Sequence, residues 1–257
     1  RHLYLRCGQH SGEIMVCFVV RKPIRKKLMP LVQKLTEQFS QIQSIVMNCN
    51  PKKTNVILGD STETLWGKDT ITDTMCGNAV DLSPESFYQV NTIQAERLYG
   101  VAKAFAQLTG KERLLDLYCG AGTIGLSMAD AVTELVGVEI VPEAIENAKK
   151  NAARAGVGNA KFLCGDAGSI AAQLAEQGIA PDVIVVDPPR KGCDDIAIQA
   201  MTKMQPKRIV MISCNATTAA RDCAELGKLG YVTEQVQPVD LIPGTGHVEC
   251  VVLMSRK

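Results

Sequence analysis

Between residues 113 and 213 the chain alternates short apolar runs with longer stretches of helical composition. The runs are Arg113 to Leu117, Glu134 to Glu139, Lys161 to Leu163, Asp182 to Asp187 and Arg208 to Ser213. Helical crossovers between consecutive strands are what parallel pairing requires, so this alternation predicts a parallel sheet with helices on both faces. Two later runs, Tyr231 to Val239 and Val248 to Ser255, are joined by a loop too short for a crossover helix and are therefore expected to pair antiparallel. They bring the sheet to seven strands. A helix over Thr92 to Leu108, rich in Ala, Leu, Gln, Glu and Lys and stopped at Thr109-Gly110, leads into the first strand. The fold class is thus α/β and Rossmann-like.

The first part of the chain has a different texture. Short strand-like runs (LYLRC, EIMVCFVV, SIVMN, TNVILG) alternate with the turn signals CGQHSGE, NCNPKK and LGDST, and Leu28 to Phe39 has helical spacing. That predicts a small α+β domain over residues 1–88, followed by the larger domain over residues 89–257. A total of 257 residues with 46% hydrophobic content suffices for two cores. The apolar runs are strand-sized and far short of the ~20 residues of a membrane span, so no membrane association is expected. Lys+Arg 28 against Asp+Glu 27 excludes a polyanion-binding tail, and an RNA partner would need a local patch. RKPIRKK, Arg21 to Lys27, is the one dense basic run, readable as a phosphate contact or as a solvated edge. Ten cysteines without a CxxC pair read as reduced thiols of a cytoplasmic protein, with no metal site. The first residue is Arg, which suggests part of something longer.

DLYCGAGTIG, residues 116–125, sits between the first apolar strand and the next helix, and Gly120, Gly122 and Gly125 satisfy GxGxxG. Glycines there let the backbone turn sharply and approach a ligand closely. Alone, the motif serves a nicotinamide dinucleotide as well as a methyl donor. The neighbouring acids favour the second. Glu139 ends the next strand, where a carboxylate accepts hydrogen bonds from ribose hydroxyls; Asp166 follows the third strand; Asp116 faces the same crevice from the first. Three acids suit a cationic ligand such as S-adenosyl-L-methionine and would repel a pyrophosphate, although each taken singly also reads as a helix cap or a solvated side chain.

DPPRKG (Asp187 to Gly192), ISCN (Ile212 to Asn215) and HVEC (His247 to Cys250) fall at strand ends on the same edge of the sheet. Cys214 precedes a helix expected near Thr217, and a helix N-terminus favours a thiolate. For the other nine cysteines, burial as small apolar side chains is the expectation.

Together SFYQVN, LDLYCGAGTIG, GVEIVPEAIENAKKNA, DVIVVDPPRKG, ISCNATTAARD and TGHVEC resemble the RNA uracil-5-methyltransferase family, which methylates uridine in 23S ribosomal RNA or in the tRNA T-loop. The likeness is dense over residues 86–257; SIVMNCNPKKTNVILG resembles the family's central domain. It implies a class I methyltransferase fold, S-adenosyl-L-methionine as cofactor and structured RNA as substrate, with 23S ribosomal RNA favoured over tRNA. Residue by residue, it implies Cys214 as nucleophile and Glu249 as the base that removes a proton from carbon 5. Gln89, Tyr118, Gly120, Gly122, Thr123, Glu139 and Asp187 are implied in cofactor binding, with Asp166 on the adenine side. Asp187 and Gln89 match the uracil edge alternatively, and Phe87 matches an aromatic that stacks on the extruded base. The family's TRAM domain and four-cysteine iron–sulfur segment are not visible, since Cys7, Cys17, Cys49 and Cys76 are too dispersed. Thr123, often Asn in relatives, and Tyr88 depart from the pattern. Two other classes stay open: an RNA-binding fragment without turnover, and an NAD-dependent oxidoreductase, which gives SCN and HVE no role.

Overall fold

The computed structural model describes residues 1–257, which divide into two compact units: 1–75 with 79–90, and 76–78 with 91–257. In the first unit, β1 (His2–Cys7), β2 (Ile14–Val20), β3 (Ile42–Cys49) and β4 (Ser61–Gly67) form a sheet in that order. β2 and β3 run parallel because helix α1 (Arg25–Gln38) carries the chain between them; the outer pairs are antiparallel. Val32 of α1 packs with Val16, Ile45, Met47 and Leu65 in one apolar cluster. β5 (Ile71–Met75) and β6 (Asn78–Leu82) make a separate two-stranded ribbon.

Two expectations fail in this unit. TNVILG is not a strand: the buried Asn50 side chain donates to the carbonyls of Val56 and Ile57 at 2.8 and 3.0 Å, and Asn48 Oδ1 accepts the Gly59 N–H at 2.7 Å. These side-chain bonds take backbone groups that a ladder would have used. The strand lies at Ser61–Gly67 instead, beginning within what reads as a turn. The helix begins at Arg25, three residues before the expected Leu28, so Pro30 falls past its first turn.

In the second unit, α2 (Thr92–Ala106) leads to β7 (Arg113–Leu117), α3 (Thr123–Leu126), β8 (Glu134–Glu139), α4 (Pro142–Arg154), β9 (Ala160–Cys164), α5 (Ala167–Glu176) and β10 (Val183–Val186). Then follow α6 (Asp195–Lys203), β11 (Arg208–Ser213), α7 (Ala216–Lys228), β12 (Tyr231–Val239) and β13 (Glu249–Arg256). The sheet order is β12-β13-β11-β10-β7-β8-β9, with β7 to β11 parallel and β13 antiparallel to both its neighbours. This is the seven-stranded α/β sheet that the alternation predicts. Every residue of β10 is fully buried, as expected of a central parallel strand covered on both faces. The helix expected after the glycine turn is present as α3, which is only four residues long. The order reverses between β7 and β10, the switch point where open α/β sheets form a ligand crevice at the strands' carboxyl ends. No helix is long and apolar enough to cross a membrane.

Candidate active site

The carboxyl edge of the sheet collects its functional side chains through register alone. Leu117 of β7 is level with Val138 of β8 and Val186 of β10, so Tyr118, Glu139 and Asp187 follow at one height. Tyr118 turns the chain in the left-handed region, φ 63°, an unusual conformation for a bulky side chain. Gly120 and Gly122 continue with φ 54° and 79°, and a Cβ at Gly120 would meet nothing within 4 Å. Gly125 serves packing: a Cβ there would lie 2.7 Å from the Asp116 carboxylate.

Each acid has a distinct setting. Asp116 is buried; its Oδ2 accepts the Gly125 N–H at 2.9 Å, whereas its Oδ1 has no partner. Burial pushes its carboxyl up to about 7, against the Gly125 hydrogen bond and with the help of Glu139. Glu139 holds the glycine turn, accepting from Gly120 N at 3.2 Å and Val141 N at 2.9 Å. Asp166 is exposed and caps α5, accepting the Ser169 N–H and O–H at 2.9 Å each, bonds that hold its carboxyl below the usual range. Asp187 is pushed up to about 8, by burial first and then by Glu249 and Asp116. Thr123 begins α3, and burial raises the Tyr118 phenol.

Cys214 and Glu249 lie at the same end of the antiparallel β11–β13 pair. Ser213, the last residue of β11, is opposite Cys250 of β13; Cys214 follows the one in the chain and Glu249 precedes the other. Both side chains are half-buried. Asn215 caps α7 from the residue after Cys214. Burial raises the Glu249 carboxyl, and Arg190 pulls it part of the way back. Sequence reasoning passed over that arginine, although it lies within DPPRKG. Phe87, 84% exposed, and Gln89, half-buried, belong to the first unit. No three His, Cys, Asp or Glu side chains gather to hold a metal ion.

The profile of the tRNA (Uracil-5-)-methyltransferase family matches residues 7–257. The chain belongs to that family. Within it, an uncharacterized RNA methyltransferase of Oceanobacillus iheyensis is 45% identical over 257 residues, covering 100% of this chain and 56% of that protein. One of Staphylococcus aureus is 47% identical with the same coverage. This family member thus spans 56% of the length of the curated relatives it matches. Among solved structures, the Pyrococcus abyssi tRNA (uracil-54, C5)-methyltransferase in complex with S-adenosyl-L-homocysteine is 30% identical with a TM-score of 0.81, over 98% of this chain and 59% of that one. The tRNA m1G37 methyltransferase of M. jannaschii, 12% identical with a TM-score of 0.61 over 99% and 76%, shares the fold alone.

Proposed function

We propose that this chain carries the catalytic core of an enzyme that transfers a methyl group from S-adenosyl-L-methionine to carbon 5 of a uridine in structured RNA, through a covalent bond from Cys214 to carbon 6. The observation that supports the reading is the β11–β13 register: Ser213 pairs with Cys250, so Cys214 and Glu249 are the residues adjoining that pair at the carboxyl end of β11. A thiol and a carboxylate at one end of a strand pair would supply a nucleophile and a base to one ring.

The residues on the other half of the edge suit the cofactor. An unpartnered buried carboxylate oxygen on Asp116, with Glu139 and Asp187 beside a glycine turn, fits a ligand bearing positive charge and ribose hydroxyls. When bound, S-adenosyl-L-methionine supplies an electrophilic methyl group. Gly120 and Gly122 would admit it closely, Glu139 would accept its ribose hydroxyls, Asp187 would hold its charged portion, and Asp166 would approach the adenine. Tyr118, Thr123 and Gln89 are assigned to it, and Phe87 to stacking on the base, by family resemblance.

Carbon 5 of uracil is a weak nucleophile. The Cys214 thiolate therefore adds to carbon 6, forming an S–C bond and driving the ring electrons into an enolate. Carbon 5 of that enolate would take the methyl group from the sulfonium, whose S–CH3 bond would break to leave a neutral thioether. Glu249 then removes the carbon 5 proton, the C–H electrons restore the ring double bond, and the S–C bond breaks to return the thiolate.

The RNA is the finer question. The sequence resemblance favours 23S ribosomal RNA, while the 30%-identical solved relative is named for tRNA uracil 54. Incubation with 5-fluorouridine-substituted 23S ribosomal RNA and tRNA, with and without S-adenosyl-L-methionine, tests both parts. Fluorine cannot leave carbon 5 as a proton does, so the methylated adduct stays bonded to the enzyme. A cofactor-dependent adduct mapped to Cys214 by mass spectrometry is the expected result, and the RNA that gives it is the substrate. An adduct on another residue, or methylation without an adduct, overturns the covalent reading.

A further inference from the structure

The segment after β10, Pro188 to Cys193, has no regular structure of its own, yet its backbone groups are taken up one after another by side chains of α7 and its cap. The Arg190 carbonyl accepts from Asn215 Nδ2 and Thr218 Oγ1, both at 3.2 Å. The carbonyls of Lys191 and Cys193 accept from Arg221 Nη2 at 2.9 and 3.2 Å. The Cys193 N–H donates to Asp222 Oδ2 at 2.7 Å. Pro189 closes the turn by accepting from Gly192 N at 2.8 Å.

The centre of this arrangement is a carboxylate where periodicity would put an apolar side chain. Ala219, Asp222 and Leu226 are the buried residues of α7, and Asp222 has no exposed surface. A buried carboxylate is costly unless ion-paired and hydrogen-bonded. Here Oδ1 takes both Arg221 Nη2 (2.6 Å) and Nε (2.8 Å), while Oδ2 takes the loop amide. Gly192 shows how closely the loop is seated: its φ is 81°, and a Cβ would lie 2.4 Å from Arg221 Nη2 and 2.5 Å from Asp222 Oδ2.

We propose that Arg221 and Asp222 are positioning residues that lock the post-β10 segment onto the helix behind Cys214, so that Asp187, Arg190 and the nucleophile are held as one rigid group. The buried carboxylate orients the guanidinium, and the guanidinium holds two loop carbonyls in a geometry that a single-point cation would not reproduce. Loss of the clamp frees the loop that carries Arg190 and leaves Cys214 just ahead of a helix no longer braced against that loop. The functional half of this statement rests on the methyl-transfer reading above; the mechanical half does not.

The test uses the full chain and two measurements. Arg221→Gln removes a half-exposed guanidinium but keeps an amide donor for the buried Asp222 carboxylate, and a thermal melt establishes that the variant is folded before either measurement. Hydrogen exchange of the Gly192 and Cys193 amides should accelerate at least tenfold in this variant, with amides of β7, β10 and β11 unchanged. Adduct formation with 5-fluorouridine RNA should slow in parallel, measured at saturating S-adenosyl-L-methionine so that any loss of cofactor affinity through Asp187 does not enter the rate. Arg221→Lys should recover only part of both effects. Gly192→Ala, which crowds the clamp from the loop side, should reproduce them independently. Unchanged exchange in both Arg221→Gln and Gly192→Ala would overturn the clamp. Accelerated exchange with undiminished adduct formation would overturn its role in the reaction. If the unaltered protein forms no adduct, the methyl-transfer reading fails, while the exchange data still decide the mechanical half.

Discussion

At the scale of single residues, the edge of the sheet separates side chains that resemble one another in sequence. Cys214 and Cys250 adjoin the same β11–β13 pair, yet Cys250 is buried in the apolar core and Cys214 is half-buried at the end of β11. Replacing Cys214 with Ala is expected to keep cofactor affinity and to reduce methylation by on the order of 10³-fold or more; turnover near the original rate would remove the nucleophile. Replacing Glu249 with Gln is expected to slow release by roughly 10²- to 10⁴-fold, so that a protein–RNA adduct accumulates on denaturing gels. The pH dependence has a definite sign. As the proposed base, Glu249 would act only when ionised, and burial lifts its carboxyl above the ordinary glutamate range while Arg190 pulls it back. The acid limb of adduct release should therefore lie above about 4.3, the free glutamate value. Arg190→Gln should move that limb higher still, because removing the cation favours the neutral acid. Single-turnover release measured against pH checks both statements.

At the scale of elements, helix starts and loop anchors carry much of the local order. Asn91, Asp166, Asp194 and Asn215 each cap a helix with a side-chain oxygen, and the last does so directly after Cys214, the proposed nucleophile. In the first unit, Asp73 of β5 ties the turn between β1 and β2: its carboxylate accepts the N–H groups of Gln9, His10 and Ser11 and the Tyr88 hydroxyl. Burial pushes that carboxyl up, but the hydrogen bonds from Ser11, Tyr88 and His10 outweigh it, leaving it below the usual range. Such a group stabilises fully above its unfolded value and loses its contribution as pH falls through the folded one. Asp73→Asn should destabilise by about 2 kcal/mol at neutral pH, with a smaller difference below about pH 3.9, the unperturbed aspartate value. Urea melts at pH 7 and pH 3 would show it; an equal loss at both would mean that packing, rather than charge, makes the anchor.

At the scale of the whole molecule, the carboxylates of the second unit's edge set how stability varies with pH. Asp116 is pushed up to about 7 by burial and by Glu139, and Asp187 to about 8 by burial, Glu249 and Asp116. An acid with a raised folded pKa retains its proton in the native state after the unfolded chain has lost it, so stability falls as pH rises through that window. Glu112, whose hydrogen bonds from Thr109 overcome burial and hold it down to about 2, acts only in more acid solution. Tm should therefore decline from about pH 4 towards pH 8, on the unperturbed and raised values together. Asp116→Asn keeps an acceptor for Gly125 and removes the charge; its stability relative to the unaltered chain should grow by on the order of 4 kcal/mol across that range. Parallel Tm profiles for the two proteins would refute the assignment.

Much of this protein was readable in its residues taken in order. The alternation of apolar runs with helical stretches determined the parallel order of β7 to β11, because side-chain periodicity reports which local conformation can bury an apolar face. The glycine turn and the motifs DPPRKG, ISCN and HVEC determined the family. What the sequence left undecided depends on contacts between distant residues. The strand expected at TNVILG yielded to the buried amides of Asn48 and Asn50, whose partners no local pattern reveals. Cys214 and Glu249 come to the same end of one strand pair through a register that runs from Arg208 opposite Ser255 to Ser213 opposite Cys250. Asp116 and Asp166, alike as strand-end acids, became a buried carboxylate with an unpartnered oxygen and an exposed helix cap. Burial and neighbouring charge make that difference, and both arise only when the sheet has assembled.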